Sequence, residues 1–290
     1  DRSVSRGLGD VYKRQVHICN MLNFVMTEEM VIEMMDKYHI DYCVVSNIDS
    51  AEYNHDLTPI PMNIQKSQKA SFERAIKFAR ANPDRIGIMP CIKPATESAD
   101  ATFEKMLVDN LDIVKGIKVH PYHSKTYFDS EKVEAYIKLA DKYDLPVASH
   151  TGGCEEAMPV HVYNMAKKYP NVKFIMVHMG LGTDNKEAVE LMAKADNLYA
   201  DTTWVPVSTT MEVIRRYGSE RVVFGTDSPI DGIDTYYYNR TGEPSLYREY
   251  FNGLEEKIGK EAYADLMYRN AMRIFTVSYT HLRAHETLSD

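Results

Sequence analysis

Gln15-Val16-His17-Ile18-Cys19-Asn20-Met21-Leu22-Asn23 reads as a short β-branched strand running into a turn that holds no glycine. An open, doubly wound sheet normally carries a glycine-rich phosphate turn after its first strand, so this stretch points away from that fold. Working outward from residues 16–18, further strand candidates fall at 42–46, 86–91, 116–120, 146–150, 173–178, 198–202 and 222–226. Amphipathic helical patterns lie between them at 27–38, 63–81, 99–111, 131–143, 159–168, 186–195 and 209–217, with a last pair at 246–258 and 260–274. Thr27 before Glu28 and Glu29, and Asp129-Ser130-Glu131, are helix starts; Gly218 is a helix end, and Pro83 and Pro170 follow helices they cannot continue. Eight strand-helix repeats in this length predict an α/β fold: a closed (β/α)8 TIM barrel in one domain.

A chain of 290 residues, 44% hydrophobic, can bury one large core, and length alone suits two ordinary domains or one barrel. The formal net charge of −8 is spread through helices of mixed sign, which argues against a nucleic-acid partner and favours a small-molecule substrate. Cys19, Cys43, Cys91 and Cys154 lie far apart, so neither a zinc knuckle nor a disulfide framework is expected, and a reducing cytoplasm fits. No apolar run predicts a membrane partner or a signal peptide. DRSVSRGLGDVYKRQ (1–15) and VSYTHLRAHETLSD (277–290) have neither periodicity and resemble translated sequencing-adapter read-through. They are set aside as foreign or disordered segments, with His281 and His285, leaving a barrel over 16–276.

In such a barrel the active site forms where the strands end. The fifth strand ends in Ser149-His150-Thr151-Gly152-Gly153, the sixth in Val177-His178-Met179-Gly180 and the eighth in Gly225-Thr226-Asp227-Ser228-Pro229. Side chains two apart share a face. Ala148 with His150, Phe174 and Met176 with His178, and Val223 and Gly225 with Asp227 are therefore expected to face the barrel axis. His17, His150 and Asp227 then supply three ligands for a divalent cation, expected to be Zn2+, with a position left for water. His178 or Asp227 would accept or relay the proton of that water.

GIKVHP (116–121), SHTGG (149–153), VHMG (177–180) and GTDSP (225–229) resemble the amidohydrolase superfamily, in its amidohydrolase-2 branch, which includes aminocarboxymuconate-semialdehyde decarboxylase. The likeness covers nearly all of 16–275. It implies that His17 and His150 are metal ligands, that Asp227 is a ligand and proton acceptor, and that His178 is the catalytic histidine or a second-metal ligand. The family's first strand ends in a His-x-His pair that binds metal. His17 matches its second histidine, and Gln15 stands where the first belongs. A glutamine amide is the weaker ligand, so the chain should hold metal less tightly and its activity should be impaired. In some superfamily members a carboxylated lysine bridges two metals; Lys118 sits in that place, and His120, on the same face, would bind a second metal or the substrate. The alternative for Lys118 is an unmodified amine that binds an anion.

Trp204 is a candidate pocket wall, and Arg240, with Tyr236, Tyr237 and Tyr238, lies in a long loop that would either line the site or hold a substrate carboxylate, the alternative being a plain surface loop. His55, His123 and His161 read as ordinary polar residues, although His123 follows the fourth strand closely enough to approach substrate. Cys19 and Cys154 lack a neighbouring base. The main expectation is a metal-dependent hydrolase of an amide, lactone or ester, acting through metal-activated water. Alternatives are a nonoxidative decarboxylase of an aromatic or unsaturated carboxylic acid, and a noncatalytic barrel that has lost a metal ligand. Barrels often pair through outer helices, so a homo-oligomer is also expected.

Overall fold

A computed structural model of the chain describes residues 12–20, 25–228 and 248–275. Each strand is followed by a helix: β1 (Tyr12–Ile18), α1 (Glu28–Tyr38), β2 (Tyr42–Asn47), α2 (Gln68–Ala81), β3 (Ile86–Ile88), α3 (Ala101–Val108) and β4 (Ile117–Val119). Then come α4 (Pro121–Ser124), α5 (Glu131–Lys142), β5 (Val147–Gly152), α6 (Pro159–Lys168), β6 (Phe174–Leu181), α7 (Lys186–Met192), β7 (Leu198–Asp201) and α8 (Val207–Tyr217). The chain ends in β8 (Val222–Val223), β9 (Gly225–Ser228), α9 (Arg248–Phe251), α10 (Leu254–Ile258), α11 (Lys260–Ala264) and α12 (Asn270–Phe275).

The strand pairs are all parallel and form two runs, β3-β2-β1-β9 and β4-β5-β6-β7-β8. Only Phe224 separates β8 from β9, so these are two halves of one eighth strand: the first half pairs with β7, the second with β1. Parallel bridges Ile88 to Val114 and Cys91 to Lys118 join β3 to β4. The ring is therefore a closed eight-stranded barrel, and the open-sheet alternative is excluded. β3 stops short of the expected residue 91 because Pro90 has no N–H for the ladder; its carbonyl still accepts from Lys118 N at 2.9 Å.

Helix starts follow their caps. Thr27 Oγ1 accepts from Met30 N at 3.3 Å, and Ser67 Oγ accepts from Ala70 N at 3.1 Å, which starts α2 at Gln68 and not at residue 63. The last helical region is cut by Gly253 and Gly259, both at positive φ, into short pieces instead of two long helices. None of the described helices is long and apolar enough to cross a membrane.

Two apolar layers result. Val16, Ile18, Val45, Ile88, Val119, Val147, Phe174, Met176 and Phe224 pack outward against the helices. Val44, Met89, Ala148, Ile175, Val177 and Val223 fill the barrel, against Ala271, Ile274 and Phe275 of α12 and against Tyr42 and Tyr199 at the strand starts. That filled end leaves the opposite rim, where the strands finish, to carry the polar side chains. The layers also correct the expectation for β6. Phe174 and Met176 face the helices, not the axis, while Ile175 and Val177 point inward.

At the end of β5 the pairing with β6 slips between His150 and Gly152, which sits opposite Leu181. Gly152 has φ +96°, and a Cβ there would run into the backbone N and O of Leu181. Gly152→Ala is expected to destabilise the fold by about 3 kcal/mol, read as a lower urea midpoint with an unchanged slope. A midpoint equal to wild type would show that the two strands can part without cost.

Candidate active site

A cavity of about 410 Å³ opens at the C-terminal rim. His17 comes to it from β1, His120 from the residue after β4, His150 from β5, His178 from β6, Trp204 from the turn after β7 and Asp227 from β9. Six of the residues singled out in the sequence thus line one cavity. Lys118, two residues before His120 on the same face of β4, is buried one layer deeper, and its charge acts on His150, His178 and Asp227. Arg240 and the tyrosines at 236–238 lie outside the described residues, as does the Gln15 side chain.

His17 and Asp227 meet directly, with Nε2 to Oδ1 at 2.8 Å. The other ring nitrogen, Nδ1, faces the Ser46 carbonyl at 3.3 Å, and a carbonyl only accepts, so Nδ1 carries a proton. An Nε2 held against a carboxylate then needs either a second proton on the ring or a cation shared by the pair. The remaining carboxylate oxygen, Oδ2, accepts from the Trp204 indole N–H at 3.2 Å. Burial alone would raise the Asp227 carboxyl pKa. The charge and hydrogen bond of His17, followed by His178 and Lys118, outweigh it and hold the group well below the usual carboxylate range.

His178 reaches the cavity by a backbone turn, not by alternation. His178 and Met179 have φ of 69° and 50°, a left-handed conformation unusual for non-glycine residues. Asn185 Nδ2 ties down the turn by donating to the carbonyls of His178 at 3.2 Å and Met179 at 3.1 Å. The imidazole Nδ1 donates to Thr203 O at 3.1 Å, which leaves Nε2 as the nitrogen without a fixed proton.

His150 stacks on His120 with ring centroids 4.3 Å apart and planes 18° apart, and meets the edge of His178 at 4.6 Å. Its Nε2 is buried and, among the described residues, has no hydrogen-bond partner. Such an orphan nitrogen is costly unless a ligand takes it up. These donors fit a divalent cation by type. Even so, among the described residues no three His, Cys, Asp or Glu side chains are drawn together closely enough to hold one as they stand. Donor atoms sharing a small cation sit roughly 2.9–3.4 Å apart, so His17 and Asp227 would have to part by a few tenths of an ångström to admit it.

His55, expected to be an ordinary polar residue, and Tyr122, which no strand-end pattern singles out, both line the cavity. Tyr122 and His123 belong to α4, whose proline immediately after His120 is a helix-start signal that would have located it. His123 approaches the cavity as expected, but its Nδ1 donates to Tyr53 O at 2.8 Å, and Tyr122 OH donates to His55 O at 2.6 Å. Together they pin the loop after β2 so that His55 stands at the cavity edge. His161 pairs with Asp129 away from the cavity. The Cys154 thiol is pushed up to about 11 by burial and by Glu156, which makes it a poor nucleophile.

Burial, followed by neighbouring imidazoles, lowers His120 and His150 well below the usual histidine value, and burial pushes His123 down to about 4. In the unfolded chain each titrates near 6.5. Between these values the unfolded state binds more protons than the folded one, so stability is complete above about pH 6.5 and is lost as pH falls toward 4. Each imidazole contributes a slope of about 1.4 kcal/mol per pH unit. For metal-free protein the urea midpoint should be flat from pH 8 to 7 and drop steadily below 6.5; a midpoint constant down to pH 4.5 would contradict the buried neutral rings.

A closed parallel barrel with imidazoles, a carboxylate and an indole gathered over its C-terminal rim is an α/β-barrel enzyme scaffold. The amidohydrolase family model, Amidohydro_2, matches residues 29–277, and the chain belongs to that family. The structure is similar to a dihydroxybenzoic acid decarboxylase from Polaromonas sp. JS666 with bound manganese and the inhibitor 2-nitroresorcinol (14% identity, TM-score 0.66, 98% of this chain and 100% of that one). It is likewise similar to 2,6-dihydroxybenzoate decarboxylase from Rhizobium (15%, 0.65, 92% and 99%) and 5-carboxyvanillate decarboxylase from Sphingomonas paucimobilis (11%, 0.64, 93% and 99%). No curated protein sequence matches the chain.

Proposed function

We propose that the chain is a divalent-metal-dependent, nonoxidative decarboxylase of a hydroxylated aromatic carboxylic acid. The observation that carries the metal is the buried, unpartnered Nε2 of His150 beside the cavity that also holds the His17–Asp227 pair. His17, His150 and Asp227 would hold one ion. When bound, it would neutralise the substrate's carboxylate and an adjacent ring hydroxyl. Hydrolysis, the first expectation from sequence, yields to decarboxylation because the similar solved structures include decarboxylases of dihydroxybenzoate and carboxyvanillate. Manganese, present in one of them, replaces zinc as the first ion to test.

The reaction needs a proton for the ring carbon that loses carbon dioxide: ArCOO− + H+ gives ArH + CO2. His178 can deliver it, since Thr203 fixes its Nδ1–H and leaves Nε2 to take up and release the transferred proton. The flat rings of His120, Tyr122 and Trp204 suit a planar substrate. His120 and Lys118 are assigned to substrate and to the charge balance beneath it.

The test uses Mn2+-loaded protein and 2,6-dihydroxybenzoate labelled with 13C at the carboxylate. Labelled carbon dioxide and resorcinol are expected, with one deuterium entering the ring in D2O. Failure to release carbon dioxide from a panel of hydroxybenzoates, together with hydrolysis of an amide or lactone, would return the chain to the hydrolase reading. A protein that binds no divalent ion and transforms neither class would be the noncatalytic barrel.

A further inference from the structure

We propose that Trp204 is a positioning residue that fixes the rotation of the Asp227 carboxylate, so that Oδ1 alone is presented to His17 and to the reacting centre. The proposal rests on the metal-dependent reading above and assigns Trp204 a task other than forming the pocket wall. A carboxylate turns easily about its last side-chain bond, where the preference is broad and twofold. Left alone, it would offer either oxygen or both. Here the indole N–H occupies Oδ2 at 3.2 Å while His17 Nε2 lies 2.8 Å from Oδ1, so the two oxygens are distinguished.

The four residues at 201–204 are built to hold that indole. Asp201 Oδ1 accepts from Thr203 N at 2.7 Å, which closes the turn. The Thr202 hydroxyl clips the turn to β9, donating to Gly225 O at 2.8 Å and accepting from Gly225 N at 2.9 Å, two residues before Asp227. Thr203 O takes the His178 Nδ1–H. Trp204 itself has φ 57°, a left-handed conformation that a bulky residue adopts only when its surroundings impose it. One turn thus orients both the imidazole proposed to move the proton and the carboxylate proposed to hold the ion.

Trp204 is the only tryptophan in the chain, so its indole gives one unambiguous signal. In 15N-labelled wild-type protein its N–H resonance should be shifted and protected from solvent exchange, and Asp227→Ala should abolish both effects. Trp204→Phe, which keeps an aromatic ring and removes the N–H, should weaken Mn2+ binding about tenfold by electron paramagnetic resonance, the lower end for loss of a ligand's hydrogen-bond partner. With 2,6-dihydroxybenzoate it should lower kcat about tenfold and leave KM within about twofold. Unchanged Mn2+ affinity with a raised KM and intact kcat would make Trp204 a pocket wall and overturn the proposal. Were wild-type protein to bind no Mn2+, the metal reading would fall separately. The indole resonance in wild type against Asp227→Ala would then decide the positioning role, and it does so even if Trp204→Phe fails to fold.

Discussion

Asp227→Asn is expected to lower decarboxylation by about a thousandfold, the range typical for removing a group that handles charge or protons at a reacting centre, while leaving the fold intact. The asparagine amide keeps the shape of the carboxylate and can donate to His17 Nε2, whose Nδ1–H already serves the Ser46 carbonyl. The oxygen facing Trp204 can still accept its N–H. What disappears is the negative charge that His17, His178 and Lys118 surround. A divalent cation at this point would then lose its one anionic ligand among the three proposed, so Mn2+ affinity should fall together with turnover. Turnover of released carbon dioxide, paramagnetic titration with Mn2+ and a urea midpoint separate the effects. A variant within tenfold of wild-type activity would remove Asp227 from the chemistry.

Gln15→His should act in the opposite direction, raising divalent-ion affinity about tenfold or more, equivalent to about 1.4 kcal/mol. Gln15 lies on β1 two residues before His17, in the place of the first histidine of the family's His-x-His pair. An imidazole nitrogen is a better donor than an amide oxygen for zinc or manganese, and its neutral form needs no compensating charge. The gain should appear in metal titration at pH 7.5 and shrink toward pH 5, as protons compete for the new ligand. Equal affinities at pH 7.5 would mean that the residue two before His17 takes no part in the metal site.

The barrel and much of its rim could be read before any coordinates. β-branched runs alternate with capped amphipathic helices, and both patterns are local: Thr27 accepts from Met30 N as its place before Glu28 predicts. His17 on β1 and His150, two after Ala148 on β5, follow from the same strand arithmetic, because a period of two persists as long as the backbone stays extended; Asp227, with φ 65° at a register shift between β9 and β1, does not. His178 shows where that arithmetic stops. Counting from Phe174 and Met176 carries a face that turns out to meet the helices, and the imidazole enters the cavity only because His178 and Met179 turn left-handed and Asn185 holds them there.

His55, Tyr122 and the indole of Trp204 belong to the same limit. Their places depend on the loop after β2 being pinned by α4, and on a turn after β7 that clips itself to β9. The sequence by itself determined the repeating strand and helix, the closed barrel they build, and the ligand-type residues at strand ends, since each is set by neighbours a few positions away. Only the tertiary structure decided how those side chains are aimed, which of them touch, and which carboxylate oxygen meets His17. These directions come from hydrogen bonds between segments some 20 to 70 residues apart, and no local period encodes a contact made across the barrel.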